Sequence, residues 1–198
     1  ISRGLVGSEM CIRDRLQTHL SENLQEIAEV RRLFPSARDY LDVYERHGLN
    51  KSESTFAHAI HLTATERERL LDAGAKIAFC PSSNLFLGSG LLDIQAIPKN
   101  NLSIASDVGG GTKISMLHTC AEGYKVAQAQ GQQFHPLEAF YAITAGNAAT
   151  LGLDNEIGQL KPGYTADLVV VNPAKPNPLA ERLETCNDLT EELSLIHI

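Results

Sequence analysis

Hydrophobic and polar positions change period along this chain, and the changes divide it into elements. Leu16–Leu20 (LQTHL) predicts a short strand, and a helical pattern runs from about Asn23 to Leu33, stopping near Pro35. Tyr40–His47 continues as another short helix, and Ser54–Ile60 is the next strand. Thr63 and Glu66 have the spacing of a capping box, so a helix starts there and ends at Gly74. Lys76–Cys80 predicts a third strand, closed by Pro81, and Asn101–Ser106 a fourth, which runs into three glycines at 109–111. Ser115–Gln130 is helical, and Pro136 opens a further helix as a first-turn proline. Ala166–Val171 (ADLVVV) is an apolar, β-branched run after the turn at Lys161, Pro162 and Gly163.

The strand ends fall at His19, His58, Asn84 and Asp107, which are 39, 26 and 23 residues apart. A (β/α)8 barrel of about 250 residues allots roughly 31 to each β/α unit, so the spacing predicts consecutive parallel units. A doubly wound open sheet shows the same alternation, and the position of the polar chemistry is what favours the barrel. With 198 residues the chain is too short for a complete barrel.

Both ends break the pattern. Residues 1–15 show neither period, and residues 193–198 follow abruptly on an acidic stretch. Both resemble translated adaptor sequence and are set aside from the fold. That leaves 16–153 for the β/α units and 154–192 for the segment after them.

Composition narrows the function. Hydrophobic residues make up 43% and charged ones 21%, enough to build a core. The formal charge of −7 disfavours a nucleic-acid partner, which usually selects a basic patch. No apolar run approaches the ~18 residues of a membrane span, and the start lacks a secretory signal, so a cytoplasmic protein without membrane association is expected. Cysteines at 11, 80, 120 and 186 form no CxxC pair, and reduced thiols are expected.

Each strand ends in polar residues: Thr18 to Asn23, His58, Ser82 to Asn84, and Ser106 with Asp107. Barrel active sites are built at these C-terminal strand ends. His19, His58, Glu22 and Asp107 converging there supply metal ligands and a proton carrier, and imidazole with carboxylate suits zinc or iron(II). Glu22, three residues past His19, can face the open side of an ion that His19 binds.

QTHLSEN (17–23), FAHAIHL (56–62), CPSSNLFLGSG (80–90) and SDVGGGTKISML (106–117) resemble the C-terminal half of the amidohydrolase superfamily, and within it the guanine deaminases. ITAGNAATLGL…IGQLKPGYTADLVVVNP (143–173) resembles the superfamily's general ending, and the likeness spans about 16–192. The resemblance implies an α/β fold holding strands five to eight of a TIM-like barrel and a return segment to a small β-sandwich. It implies one divalent metal ion, expected to be zinc, held by His19 and Asp107, and a small purine, guanine, bound at His19, Glu22 and Asp107. The catalytic residues it implies are Glu22, His58 and Asp107. In that family's chemistry the metal would lower the pKa of its water, Asp107 would accept a proton, and hydroxide would attack C2 of guanine. Glu22 then shuttles protons to the ring nitrogen and the leaving ammonia, while His58 stabilises the developing charge. Xanthine is the product, and the whole protein is expected to be a homodimer.

One feature departs from the family: the HxH pair of its first strand is absent, since no two of the seven histidines stand two residues apart. The chain therefore reads as a C-terminal portion that is inactive alone and prone to self-associate through two unpaired sheet edges. An amidohydrolase acting on another aminated or halogenated heterocycle, or a metal-free scaffold with a decayed site, are the rival readings. Gly109 to Lys113 lacks the GxxxxGK[ST] spacing of a phosphate loop, and Cys80-Pro81-Ser82-Ser83 is not a cytidine-deaminase zinc motif. Two glycosylation sequons, at Asn50 and Asn101, stay unmodified in a cytosolic chain, and His61 and Cys80 read as packing residues.

Overall fold

Four short strands, β1 (Leu16–Leu20), β2 (Ser54–His58), β3 (Lys76–Phe79) and β4 (Leu102–Ile104), form one parallel sheet in the order β1-β2-β3-β4. The computed structural model describes residues 15–170, 184–188 and 190. Of the segments read as foreign, only Arg15 lies among them.

Every described α-helix but the last starts where a side chain or a proline meets its first turn. The Asn23 side chain accepts from Glu26 N–H to open α1 (Leu24–Leu33), which ends with Arg31 and Arg32 against its negative C-terminal dipole. Asp39 does the same for α2 (Tyr40–Glu45). The capping box expected at Thr63 and Glu66 is present in both directions and opens α3 (Ala64–Asp72). Ser115 caps α5 (Met116–Ala129), and Pro136 begins α6 (Pro136–Ala142), followed by α7 (Ala145–Thr150).

Pro81 behaves differently from the expectation that it merely closes β3. It occupies the first turn of a further helix, α4 (Pro81–Leu87), where its missing N–H costs nothing. The polar cluster Ser82, Ser83 and Asn84 therefore sits on a buried helical turn at the top of the sheet. β2 also stops two residues early, because His58 and Ala59 adopt left-handed backbone angles that end the pleat.

Sequential order in a parallel sheet means that every crossover steps the same way. Right-handed crossovers then put the connecting helices on one side, whereas a doubly wound sheet would reverse its order. The core agrees: Leu20, Phe56, Ile77, Phe79 and Ile104 pack with Leu41 of α2, Leu70 of α3, Val126 of α5 and Ala139 of α6. Residues of the opposite face, Ala57 and Ala78, join Cys80 and Ala105 in a small separate cluster.

Among the described residues, β1 and β4 each have a single partner strand. The free side of β4 is nonetheless occupied at Ile104. Its N–H donates to Asn147 Oδ1 at 3.1 Å and its carbonyl accepts from Asn147 Nδ2 at 2.9 Å, so an amide of α7 substitutes for a neighbouring strand. Residues 165–170 take no regular structure, and Val169 and Val170 are exposed. Val171 lies outside the described residues.

Candidate metal and proton-transfer site

The register of β1 on β2 sets His19 opposite Ala57 and Leu20 opposite His58. In a regular pleat, successive side chains alternate between faces, so His19 and His58 would point to opposite sides. They do not. His58 has φ +68°, and this left-handed turn brings its ring edge-on to His19, with ring centroids 5.0 Å apart. Ser21 and Asp107 also have positive φ, so among the described residues all four non-glycine residues in this conformation (with Ala59) stand at or just past the ends of β1, β2 and β4. Such angles cost on the order of 1–3 kcal/mol each and persist where the surroundings impose them.

Asp107 is held by a tight turn. Gly111 N–H donates to the Asp107 carbonyl, and a Cβ on Gly111 would stand 1.9 Å from the Ser106 carbonyl oxygen. Only glycine allows that approach. Ser82 Oγ, 2.9 Å from Thr112 Oγ1, ties the far side of the turn to α4.

Ligand atoms of His19, His58 and Asp107 all lie within 4.8 Å of one another. His58 is buried, Asp107 partly buried and His19 exposed. Glu22, in the loop after β1, adds its Oε2 at 3.8 Å from His58 Nε2, and Asp107 Oδ2 stands 3.9 Å from the same nitrogen. All four residues singled out from the sequence thus meet at one end of the sheet.

Asn84 gives this arrangement its chemical sense. His58 Nδ1 donates to Asn84 Oδ1 at 2.8 Å, which puts the ring proton on Nδ1 and leaves the lone pair on Nε2. That Nε2 is buried and has no hydrogen-bond partner. A lone pair facing two carboxylates is unfavourable unless something positive lies between them. The donor set of two imidazoles and a carboxylate therefore fits a divalent metal ion, and nitrogen with oxygen ligands suits zinc.

Cys80 and Cys120 are free, buried thiols. Burial, with the charges of Asp107 and Glu22 adding to it, pushes the Cys80 pKa up to about 12, so the thiol stays protonated and unreactive. His61, read as a packing residue, is fixed by a hydrogen bond: its Nε2 lies 2.7 Å from the Ser89 carbonyl, which must accept. From sequence alone Asn84 was only one of the strand-end polar residues, and Ser89 had no role. The signal for both was the CPSSNLFLGSG segment itself, whose polar residues interrupt an otherwise apolar helix. A cavity of about 270 Å3, lined by Arg31, Arg38 and Tyr40 among others, opens beside Ser21 and is lined by none of the four site residues. Among the described residues no helix is long and apolar enough to cross a membrane.

Residues 12–195 match the amidohydrolase family. The chain is 46% identical over 160 residues to guanine deaminase of Escherichia coli K12, a match covering 80% of this chain and 36% of that protein. A solved structure of E. coli guanine deaminase superposes with a TM-score of 0.85 at 42% identity, over 91% of this chain and 43% of that one. Guanine deaminase from C. acetobutylicum, solved with guanine in its active site, gives a TM-score of 0.80 at 29% identity, over 98% and 46%. An adenosine deaminase from Xanthomonas campestris with bound zinc gives 0.78 at 25% identity, over 90% and 40%. The chain thus spans less than half the length of these relatives.

Proposed function

The chain belongs to the amidohydrolase family, and from that premise we propose that the protein of which it forms part hydrolyses guanine to xanthine and ammonia. The observation that carries this is the convergence of His19, His58, Asp107 and Glu22 around a buried imidazole nitrogen with no partner. The 46% identity to a guanine deaminase supports guanine as the substrate over other purines.

His19 and Asp107 would hold one divalent ion, with His58 beside them. Such an ion, zinc by the character of its ligands, would lower the pKa of a water molecule toward neutrality. Asp107 would take a proton from the attacking water. Glu22 would pass a proton to the purine ring nitrogen and another to the departing amine, changing between acid and base. Once its Nε2 carries a proton as well, the His58 ring, oriented by Asn84, would stabilise the charge that builds up as water adds to C2. His19, Glu22 and Asp107 would also contact the purine. A metal-free scaffold is the poorer reading, because nothing but a cation or proton relieves the cluster of lone pairs at His58 Nε2.

The same proposal extends to architecture. The sequential parallel sheet with helices on one face supports residues 16–153 as strands five to eight of a barrel, and 154–192 as the return to a small β-sandwich. Segments 1–15 and 193–198 would then be foreign. We place the protein in the cytoplasm, where buried free thiols such as Cys80 and Cys120 stay reduced, and expect the whole protein to be a homodimer.

The test is turnover of guanine by the full-length protein, followed through xanthine and ammonia, together with its metal content. Glu22→Gln should keep the metal and lose ~10²–10⁴-fold in kcat, since an amide cannot carry the proton. Turnover of adenosine or a halogenated heterocycle without turnover of guanine would replace the proposed substrate while leaving the site intact.

A further inference from the structure

Glu22 lies in a loop, and a carboxylate that carries protons must be held in one orientation to do so. Its backbone N–H donates to Glu26 Oε2 at 2.9 Å, which anchors the loop but not the carboxylate. The carboxylate itself has a single side-chain donor among the described residues: Ser89 Oγ, 2.8 Å from Oε1. The two residues are 67 positions apart in the chain. We propose that Ser89 is the positioning residue for Glu22, engaging Oε1 so that Oε2 is the oxygen left facing His58.

Ser89 is itself held at every polar group it has. Its N–H donates to the Asn84 carbonyl at 2.9 Å, closing the end of α4. Its carbonyl accepts from His61 Nε2 at 2.7 Å. Its hydroxyl has the carboxylate, which can only accept, so the proton must point to Glu22. The flanking glycines make this posture possible. Gly88 has φ +70° and Gly90 φ +132°, and a Cβ on Gly90 would stand 3.0 Å from Ile60 Cγ2 and 3.4 Å from the His61 ring. The segment Gly88-Ser89-Gly90 is therefore a rigid clip, braced on β3's following helix and on the loop after β2, that presents one hydroxyl to a residue from the loop after β1. Asn84, which orients His58, lies in the same helix, so one short segment aligns both groups flanking the reacting centre.

This rests on the reading of Glu22 as the proton carrier, and the experiment separates the two. In the full-length protein, kcat, KM and metal content are compared for Ser89→Ala, Ser89→Thr and Glu22→Gln, and for the double variant Ser89→Ala/Glu22→Gln. Ser89→Ala should lower kcat by about 10–100-fold, the usual effect of losing a supporting partner, with KM and metal content unchanged. Ser89→Thr, which keeps the hydroxyl, should recover most of that loss. On top of Glu22→Gln, Ser89→Ala should have no further effect, because the group it orients no longer carries a proton. An unchanged kcat for Ser89→Ala, or the same fold-loss in both backgrounds, would overturn the positioning role alone. Full turnover by Glu22→Gln would overturn the assignment of Glu22 and this inference with it.

Discussion

On the helix-covered face of the sheet, Leu20, Phe56, Ile77, Phe79 and Ile104 are all buried to within 1% and belong to one continuous core. On the other face, the register aligns His19, Ala57, Ala78 and Ser103 in a row of small or polar side chains. The same backbone ladder supports both rows, yet their chemistry is opposite. A parallel sheet buried on both faces usually reads as an uninterrupted apolar run. Here one face is packed for stability, and the other carries small or polar side chains, His19 among them, at its C-terminal end. The contrast teaches that stability and chemistry are separated by a single residue step along each strand.

That separation can be broken by substitution, and the largest effect is expected on the covered face. Phe56 has no exposed surface and meets Tyr44 edge-on at 5.3 Å. Phe56→Ala should destabilise the full-length protein by about 3–5 kcal/mol in chemical denaturation, through lost burial and the cavity left behind. A loss well below that range would mean the helix layer is not what holds the sheet.

An intermediate effect is expected at the start of α3, which connects β2 to β3 across the covered face. Thr63 accepts from Glu66 N–H, and its own N–H donates to Glu66 Oε2 at 3.0 Å. Thr63→Ala removes the capping hydroxyl and should cost about 1 kcal/mol, read as a lower thermal midpoint with kcat unchanged. A fall in kcat at constant midpoint would show that the α3 cap communicates with the site.

The smallest effect on stability, with a functional loss beside it, is expected on the other face. His19 is exposed and fills no core position. Compared in metal-free protein, His19→Ala should shift stability by no more than about 0.5 kcal/mol, yet it should leave the full-length protein short of metal by elemental analysis. Should His19→Ala prove as destabilising as Phe56→Ala, the two faces would not differ in the way described.

Much of this was legible from local pattern. The ends of β1 and α1, the box at Thr63 and Glu66 and the first-turn Pro136 depend on neighbours within a few residues, and sequence spacing records those directly. His19, Glu22, His58 and Asp107 were also legible, because polar residues at successive strand ends have little reason to recur unless a site lies there. Helix α4 was not. A proline after a strand reads equally as a stop or as a first helical turn, and only the buried packing of Ser82, Ser83 and Asn84 selects the second.

The sequence by itself determined the four strands and most of the helices, though not α4 or α7, and which four side chains stand at the strand ends, since these follow from short-range spacing. Which way those side chains point was decided by the tertiary structure. Strict alternation would have sent His58 to the side opposite His19. The left-handed turn at His58, the Ala59 N–H bonded back to Leu20 O at 2.9 Å, and the Asn84 amide on its ring reverse that direction. Ser89 reaches Glu22 for the same kind of reason. A contact between residues 67 positions apart has no period in the sequence, and exists only because the parallel sheet stacks their loops at one end.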